Sequence, residues 1–341
     1  MLWVIIFLAV LVAAAAATWI AAVRTDRHFF GKRYDGNPDV RYFEASDFVG
    51  LQANPVSFSS APGITLRGFL YRKEGLQPRA LAVFVHGLGA GHLAYTTEID
   101  FLARCGYLVL GFDMTGCGAS DGRADGFDQG PLDIAAALRF VRSQPALSAL
   151  PIVLVGHSWG AFSVMNALPA QPDVRAAVAI CGFASSASAA AQKTFGRFAF
   201  LAPLLSGWLW LFNRRRFGKD ANQNSLRSLR ASNQPLLLLY GGRDLTVRYR
   251  ENGARIRKVA ARRANTKFIL YPEKGHNAYL SDRTQRAMYE QFGAIPKEIR
   301  SDRAKLKDYY ASLDYRLLTE EDPQVMQEIA AFLDGCLSAR N

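Results

Sequence analysis

The chain has 341 residues, half of them hydrophobic and 21% charged, which suits one large core plus an accessory segment and excludes a disordered, collagen-like or wholly coiled-coil chain. Its four cysteines, Cys105, Cys117, Cys181 and Cys336, form no CxxC pair, so a disulfide scaffold or zinc finger is not expected. The net charge of +12 suits nucleic acid, an anionic membrane surface or plain solubility, but the basic residues are scattered and carry no nucleic-acid-binding motif, so nucleic acid is not an expected partner.

Met1 to Val23 contains no charged residue, and a hydrocarbon core takes about 20 helical residues to cross. The stretch predicts a transmembrane anchor over 1–23, followed by a juxtamembrane linker over 24–55. Trp3 and Trp19 lie near its ends, where indole rings favour the headgroup layer. Arg24, Arg27, Lys32 and Arg33 follow at once and no Lys or Arg precedes the span, so the positive-inside rule places the body in the cytoplasm. The competing reading is a cleaved secretory signal, with Ala13 to Ala17 offering small residues to a peptidase. The missing positive n-region and the length of the apolar run favour the retained anchor. The unpaired cysteines agree with a reducing compartment.

From Val56 onward, short aliphatic runs alternate with helical stretches, the pattern of an α/β sheet with parallel strands. Val56 to Ser60 and Ile64 to Tyr71 predict a leading antiparallel hairpin around Pro62-Gly63. Ala80 to Val85, Leu108 to Phe112, Ile152 to Val155, Ala176 to Ile180, Leu236 to Tyr240 and Lys267 to Tyr271 are compact runs of the kind buried on both faces. Helical spacing marks Thr96 to Cys105, Gln129 to Ser143, Gly160 to Leu168, Tyr249 to Ala261 and a closing helix, Pro323 to Leu337.

In such sheets chemistry collects at the carboxyl ends of the strands. Gly156-His157-Ser158-Trp159-Gly160 follows the run IVLV and precedes a helical stretch. This fits G-x-S-x-G, in which a tight turn lifts a serine hydroxyl above the sheet and small residues flank it; a mere helix cap is the bland reading of Ser158. A serine hydroxyl needs a base to take its proton and an acid to orient that base, and in this architecture the chain order is Ser, acid, His. Of the five histidines, His28, His86, His92, His157 and His276, only His276 follows Ser158. Asp244, just past the run LLLLY, is the favoured acid over Asp220, Glu251, Glu273 and Asp282. The alternatives are a solvated turn for Asp244 and a surface or cap role for His276. The Gly-rich loop His86 to Gly91 offers backbone N–H groups for an oxyanion; Leu88 in this loop and Trp159 after the nucleophile are the expected donors. The loop alone could equally cradle phosphate, but no Lys-Ser/Thr follows it.

With these residues, FVHGLGAG at 84–91, GFDMTGCGASDG at 111–122, GHSWG at 156–160, LLYGGRDLTV at 238–247 and LYPEKGHN at 270–277, the chain resembles the α/β-hydrolase superfamily. More narrowly it is similar to serine hydrolases of the monoacylglycerol lipase and serine aminopeptidase-like type. The resemblance runs from about Ser57 to Leu337 and implies an α/β-hydrolase fold over 56–341, a mostly parallel twisted sheet with helices on both faces. It implies no cofactor and no metal. Relatives usually carry Arg and His where Thr115 and Cys117 stand here; Asp113 keeps a structural role, and Cys117 reads as a small filler of the histidine's place rather than a reactive thiol. Dehalogenase relatives carry Asp at the elbow, against which Ser158 argues.

About fifty residues separate the strands at 176–180 and 236–240, far beyond the usual connection, so 184–234 reads as a helical cap insertion. Its aromatic centre, Phe195 to Phe217, ends in Arg214, Arg215 and Arg216. A second membrane span is conceivable there, but Arg197, Pro203 and Gly207 interrupt it. The cap is expected over the active site and against the bilayer, or packed wholly on its own domain. A further insertion, Ser281 to Asp314, is basic and polar. Together these features predict a membrane-anchored serine hydrolase acting on carboxylic or thio esters with hydrophobic acyl groups. The alternatives are a serine peptidase of the aminopeptidase or prolyl oligopeptidase type, or a membrane-tethered scaffold without turnover.

Overall fold

The computed structural model describes residues 1–293 and 295–338, with the backbone alone at 197 and 199. Residues 294 and 339–341 of the expected hydrolase domain, and the side chain of Arg197 in the cap, lie outside what is described.

One sheet runs in the order β1-β2-β4-β3-β5-β6-β7-β8. β1 (Leu51–Ala61) and β2 (Ile64–Lys73) form the antiparallel hairpin, and β2 joins β4 (Tyr107–Phe112) antiparallel. β3 (Ala80–Val85), β4, β5 (Ile152–His157), β6 (Val174–Ile180), β7 (Leu236–Gly241) and β8 (Thr266–Tyr271) are parallel. The leading strand starts at Leu51 rather than Val56. Pro55 obscures that start in the sequence, yet β1 lies at the sheet edge, where a missing N–H donor is tolerated.

The main helices are α1 (Leu2–Phe29), α2 (Thr96–Arg104), α3 (Gln129–Ser143), α4 (Trp159–Ala167), α5 (Ser186–Phe195), α6 (Pro203–Phe217), α7 (Ser225–Arg230), α8 (Gly253–Ala260) and α9 (Pro323–Ser338). Leu81, Val83 and Val85 of β3 face one cluster with Ile134, Phe162 and Ile256 of α3, α4 and α8. Ala80, Ala82 and Phe84 face another with Ile99 and Leu102 of α2 and Val325 and Ile329 of α9. Both faces of the strand are covered, which is why the strands read as unbroken apolar runs. The helix expected from Tyr249 begins only at Gly253, after a turn in which the Asp244 carboxylate takes the N–H groups of Thr246 and Val247.

α1 continues past Val23 to Phe29. It is long and apolar enough to cross a membrane by length and composition, and its most apolar stretch is exposed. Its later turns lean on the cap. Trp19 meets Trp208 and Phe212 edge-on at 5.1 Å each, Trp208 Nε1 donates to Thr18 Oγ1 (3.1 Å), and Arg216 holds Asp26 through two hydrogen bonds of 2.7 and 2.6 Å. The segment expected as a linker therefore starts as helix and is then tied down, with Lys32 bridging to Ala124 and Tyr34 to Cys117. Arg24 and Arg27 do not end the helix, since charged residues disturb a helical backbone little.

α5 and α6 form the cap. α6, at about 22 Å long, is too short to cross a bilayer core of about 30 Å and lies across the body instead. Leu205, Leu209 and Asn213 are buried beneath it, while Leu204, Trp210 and Leu211 stay exposed. The cap returns to the sheet through Asn222 and Gln223, whose N–H groups donate to Asp128 (2.7 and 3.0 Å). Burial pushes the Asp128 carboxyl up to about 6, against an ordinary carboxylate near 3.9 in the unfolded chain. Between these values the folded state holds a proton that the unfolded state lacks, so this group's contribution is present at low pH and is lost as pH rises through about 6. Urea midpoints of the wild type and of Asp128→Asn at pH 4.5 and 7 should show the wild type losing about 2 kcal/mol relative to the variant across that interval.

Candidate active site

Ser158 joins β5 to α4 with φ 56° and ψ −113°, a left-handed backbone that costs an L-residue about 1–2 kcal/mol. The flanking glycines make the turn feasible. A Cβ on Gly156 would lie 2.6 Å from the Gly160 carbonyl group, and one on Gly160 would collide with the Val85 carbonyl oxygen.

The turn presents the Ser158 hydroxyl to His276. Ser158 Oγ lies 2.9 Å from His276 Nε2, and His276 Nδ1 lies 2.7 Å from Asp244 Oδ2. Asp244 is buried, and its Oδ1 accepts from the N–H groups of Thr246 and Val247, both at 2.7 Å. With Nδ1 donating to this carboxylate, Nε2 is left as the acceptor for the serine proton. The three residues singled out from sequence are thus brought into one hydrogen-bonded chain. Of the other acids, Glu273 pairs with Arg243, and Asp282 with Lys274.

Leu88 and Trp159 line the same cavity as Ser158 and His276. Trp159 opens α4, so its N–H belongs to the first turn, where no intrahelical acceptor exists. The Leu88 loop passes close over the nucleophile, since a Cβ on Gly87 would come within 3.3 Å of Ser158 Cβ. Both residues thus lie in the cavity beside Ser158.

The other histidines have different tasks. His86 Nε2 accepts from the Met114 N–H (2.9 Å), so Nδ1 carries the proton and donates to the Gly87 carbonyl (2.6 Å). Burial lowers its pKa and keeps this tie between two strand ends neutral. Asp113 accepts from the backbone N–H and Nδ1 of His92, both at 2.7 Å, and from Ala119 N–H at 2.8 Å. Burial pushes the Asp113 carboxyl up, but the hydrogen bond and charge of His92 outweigh it and hold it below the usual range. These contacts fit the structural role expected of Asp113. Cys117 is fully buried, and that burial, with Asp113 nearby, pushes its thiol up, which suits a filler and not a nucleophile.

A second network escaped sequence reasoning. The Gly87 N–H donates to the Tyr95 hydroxyl (3.1 Å), which lies 2.9 Å from His157 Nδ1, while His157 Nε2 lies 3.1 Å from the His276 carbonyl. Since Tyr95 accepts from Gly87, its own proton goes to His157 Nδ1, and His157 Nε2–H then donates to His276. Burial, then the neighbouring His276, lower the His157 pKa strongly. The circuit joins the Gly-rich loop, the serine turn and the histidine loop. His157 stands inside the GHSWG string and was legible as a neighbour, whereas nothing local marks Tyr95.

The cavity is about 290 Å³, at the lower end of small-molecule sites. Its wall is apolar at Phe29, Leu88, Phe127, Phe183 and Val247 and polar at Gln192, Lys193, Asn252 and Asn277. Ligand atoms of Cys181, Asp244 and His276 lie within 4.8 Å of one another. Both nitrogens of His276 are already engaged, and burial followed by Asp244 pushes the Cys181 thiol up, a poor donor set for a metal, which binds thiolate.

A family model described as "Alpha/beta hydrolase family" matches residues 82–291. Similarity to curated proteins is partial. It reaches 28% identity over 137 residues with thiohydrolase apmlB of Arthrinium phaeospermum, covering 39% of this chain and 44% of that protein. It reaches 33% over 101 residues with an epoxide hydrolase of Caballeronia sordidicola, 30% of each chain. With the probable esterase PIR7A of Oryza sativa subsp. indica it is 34% over 121 residues, covering 33% and 41%. The chain thus spans less than half the length of these curated relatives. Among solved structures, the Pyrococcus furiosus esterase Pf2001 superposes with a TM-score of 0.62 at 17% identity, covering 90% of this chain and 100% of that one. Est1E from Butyrivibrio proteoclasticus gives 0.52 at 16%, covering 83% and 99%. At such identities the likeness is one of fold.

Tyr95→Phe removes both hydrogen bonds of the hydroxyl and strands two polar groups, a loss of about 1–3 kcal/mol. It should also slow the reaction of Ser158 with a fluorophosphonate about tenfold through misplacement, while end-point labelling stays complete. Denaturant midpoints and labelling time courses check both, and an unchanged labelling rate would reduce the network to a structural role.

Proposed function

The chain belongs to the alpha/beta hydrolase family, and from that premise we propose a membrane-anchored serine hydrolase that cleaves esters of hydrophobic acyl groups through an acyl-enzyme. The observation that carries the reading is the unbroken hydrogen-bond chain from Ser158 through His276 to Asp244.

In this reading Ser158 Oγ attacks the acyl carbonyl carbon as its proton passes to His276 Nε2, and Asp244 steadies the imidazolium that forms. The N–H groups of Leu88 and Trp159 stabilise the oxyanion. Collapse of the tetrahedral species breaks the bond to the leaving alcohol or thiol, which takes the proton from His276. A water molecule then gives its proton to His276 and attacks the acyl carbon, releasing the acid and restoring Ser158. A scaffold without turnover has no use for a left-handed serine and a buried aspartate arranged around one histidine.

The substrate class rests on the apolar wall of the cavity and on the apolar helix beside it. Two of the relatives are named a thiohydrolase and a probable esterase, in keeping with acyl chemistry, and a third an epoxide hydrolase. The anchor reading rests on α1, and the cytoplasmic placement on Arg24, Arg27, Lys32 and Arg33. The exposed Trp210 and Leu211 of the cap suit contact with the interface.

Ser158→Ala and His276→Ala should each abolish fluorophosphonate labelling of the detergent-solubilised protein and lower kcat on p-nitrophenyl esters by about 10⁴ to 10⁶. Well-folded wild type that neither labels nor hydrolyses acyl esters of any length would sink the proposal, and turnover of aminoacyl amides in preference to acyl esters would redirect it to a peptidase. For topology, protease added to the outside of sealed, right-side-out membranes should leave the catalytic domain intact, and its digestion would reverse the orientation.

A further inference from the structure

α1 ends inside the catalytic cavity. Phe29, on its last turn, is 6% exposed and lines the cavity together with Ser158, Leu88, Phe127 and Phe183. The cap adds Ala189 and Ala190 of α5 to the same lining. We propose that Phe29 is a specificity-determining residue, which makes the last turn of the N-terminal helix a wall of the substrate site and sets how long an apolar group the cavity admits. This rests on the serine hydrolase reading above.

The wall is held from several sides. The Phe29 carbonyl accepts from the Tyr34 hydroxyl (2.8 Å), and His28 meets the Phe29 ring edge-on at 4.7 Å. The next residue, Phe30, packs edge-on against Phe127 at 5.0 Å, itself a lining residue. One turn earlier, Asp26 is gripped by Arg216 of α6 and Thr25 meets Thr194 of α5 (3.2 Å). A ring fixed in this way excludes atoms, where a loose one would yield to them. In a cavity of only about 290 Å³, removing one phenyl ring opens a large share of the available space. The same contacts bind α1 to both cap helices, so cap and apolar helix form one unit around the pocket.

The test is a p-nitrophenyl ester series from butyrate to dodecanoate, run on full-length protein in detergent for the wild type, Phe29→Ala and Phe29→Trp. Active enzyme is counted in each case by fluorophosphonate titration of Ser158. Phe29→Ala should raise kcat/KM for the longer esters relative to butyrate by about tenfold, and Phe29→Trp should move the preference the other way. A chain-length profile unchanged in both variants, with Ser158 titrating fully, overturns the assignment and leaves the hydrolase reading intact. Wild type that does not titrate or turn over any ester overturns both. If Phe29→Ala does not fold, Phe29→Trp decides alone, because a merely structural role would lower all chain lengths together and leave the ratio where it was.

Discussion

The site depends on one strained turn. Ser158 holds a left-handed backbone, and it does so because β5 and α4 meet with almost no space between them: Gly160 presses on the Val85 carbonyl of β3 and Gly156 on Gly160 itself. The close approach of strand and helix sets the direction of the serine hydroxyl, and the packed sheet keeps the strain from relaxing. The histidine and aspartate loops follow as consequences of strand order, since β7 and β8 lie in sequence beyond β5 and β6 and their carboxyl ends open onto the same edge.

Around that turn the protein uses neutral, fully partnered groups to align charged chemistry. His86, Tyr95 and His157 each have hydrogen-bonding atoms committed to a specific backbone or side-chain neighbour. Burial favours the uncharged form of each. In the proposed mechanism an imidazolium at His157 would repel the positive charge placed on His276, at a ring separation of 4.8 Å. Keeping His157 neutral removes that opposition and lets it act on His276 through the carbonyl alone. Asp113 and His92 carry out a comparable task farther from the serine, tying the Gly-rich loop to the segment after β4.

The N-terminal helix serves two environments. Its first turns are apolar and exposed, while its last eight residues bury Ala22, Thr25, Asp26 and Phe29 against cap and body. The bidentate Arg216 contact supplies the partner that the buried Asp26 carboxylate requires. Cap position and helix position are consequently coupled, and the cavity between them is shaped by both.

Much of this was legible in the chain itself. The apolar runs located the six parallel strands, because burial leaves the same unbroken signal wherever such a strand passes, and the turn at Pro62-Gly63 marked the leading hairpin. Ser158 was marked by glycines that only a tight turn requires, Asp244 by its place beyond a strand end, and His276 by being the one histidine downstream. The partners that sit far apart in sequence were not legible. Tyr95 just before α2 reaching His157 at the end of β5, Asp128 holding the cap's return, Asp26 pairing with Arg216, and Phe29 reaching the cavity all join residues tens to nearly two hundred positions apart. The residues on either side of them carry no trace of the pairing. Sequence by itself determined the local conformations and the order of the reactive residues, since periodicity, glycine placement and chain order are properties of neighbours. Only the tertiary structure decided which side chains face one another across the sheet ends, because that follows from the packing of whole elements.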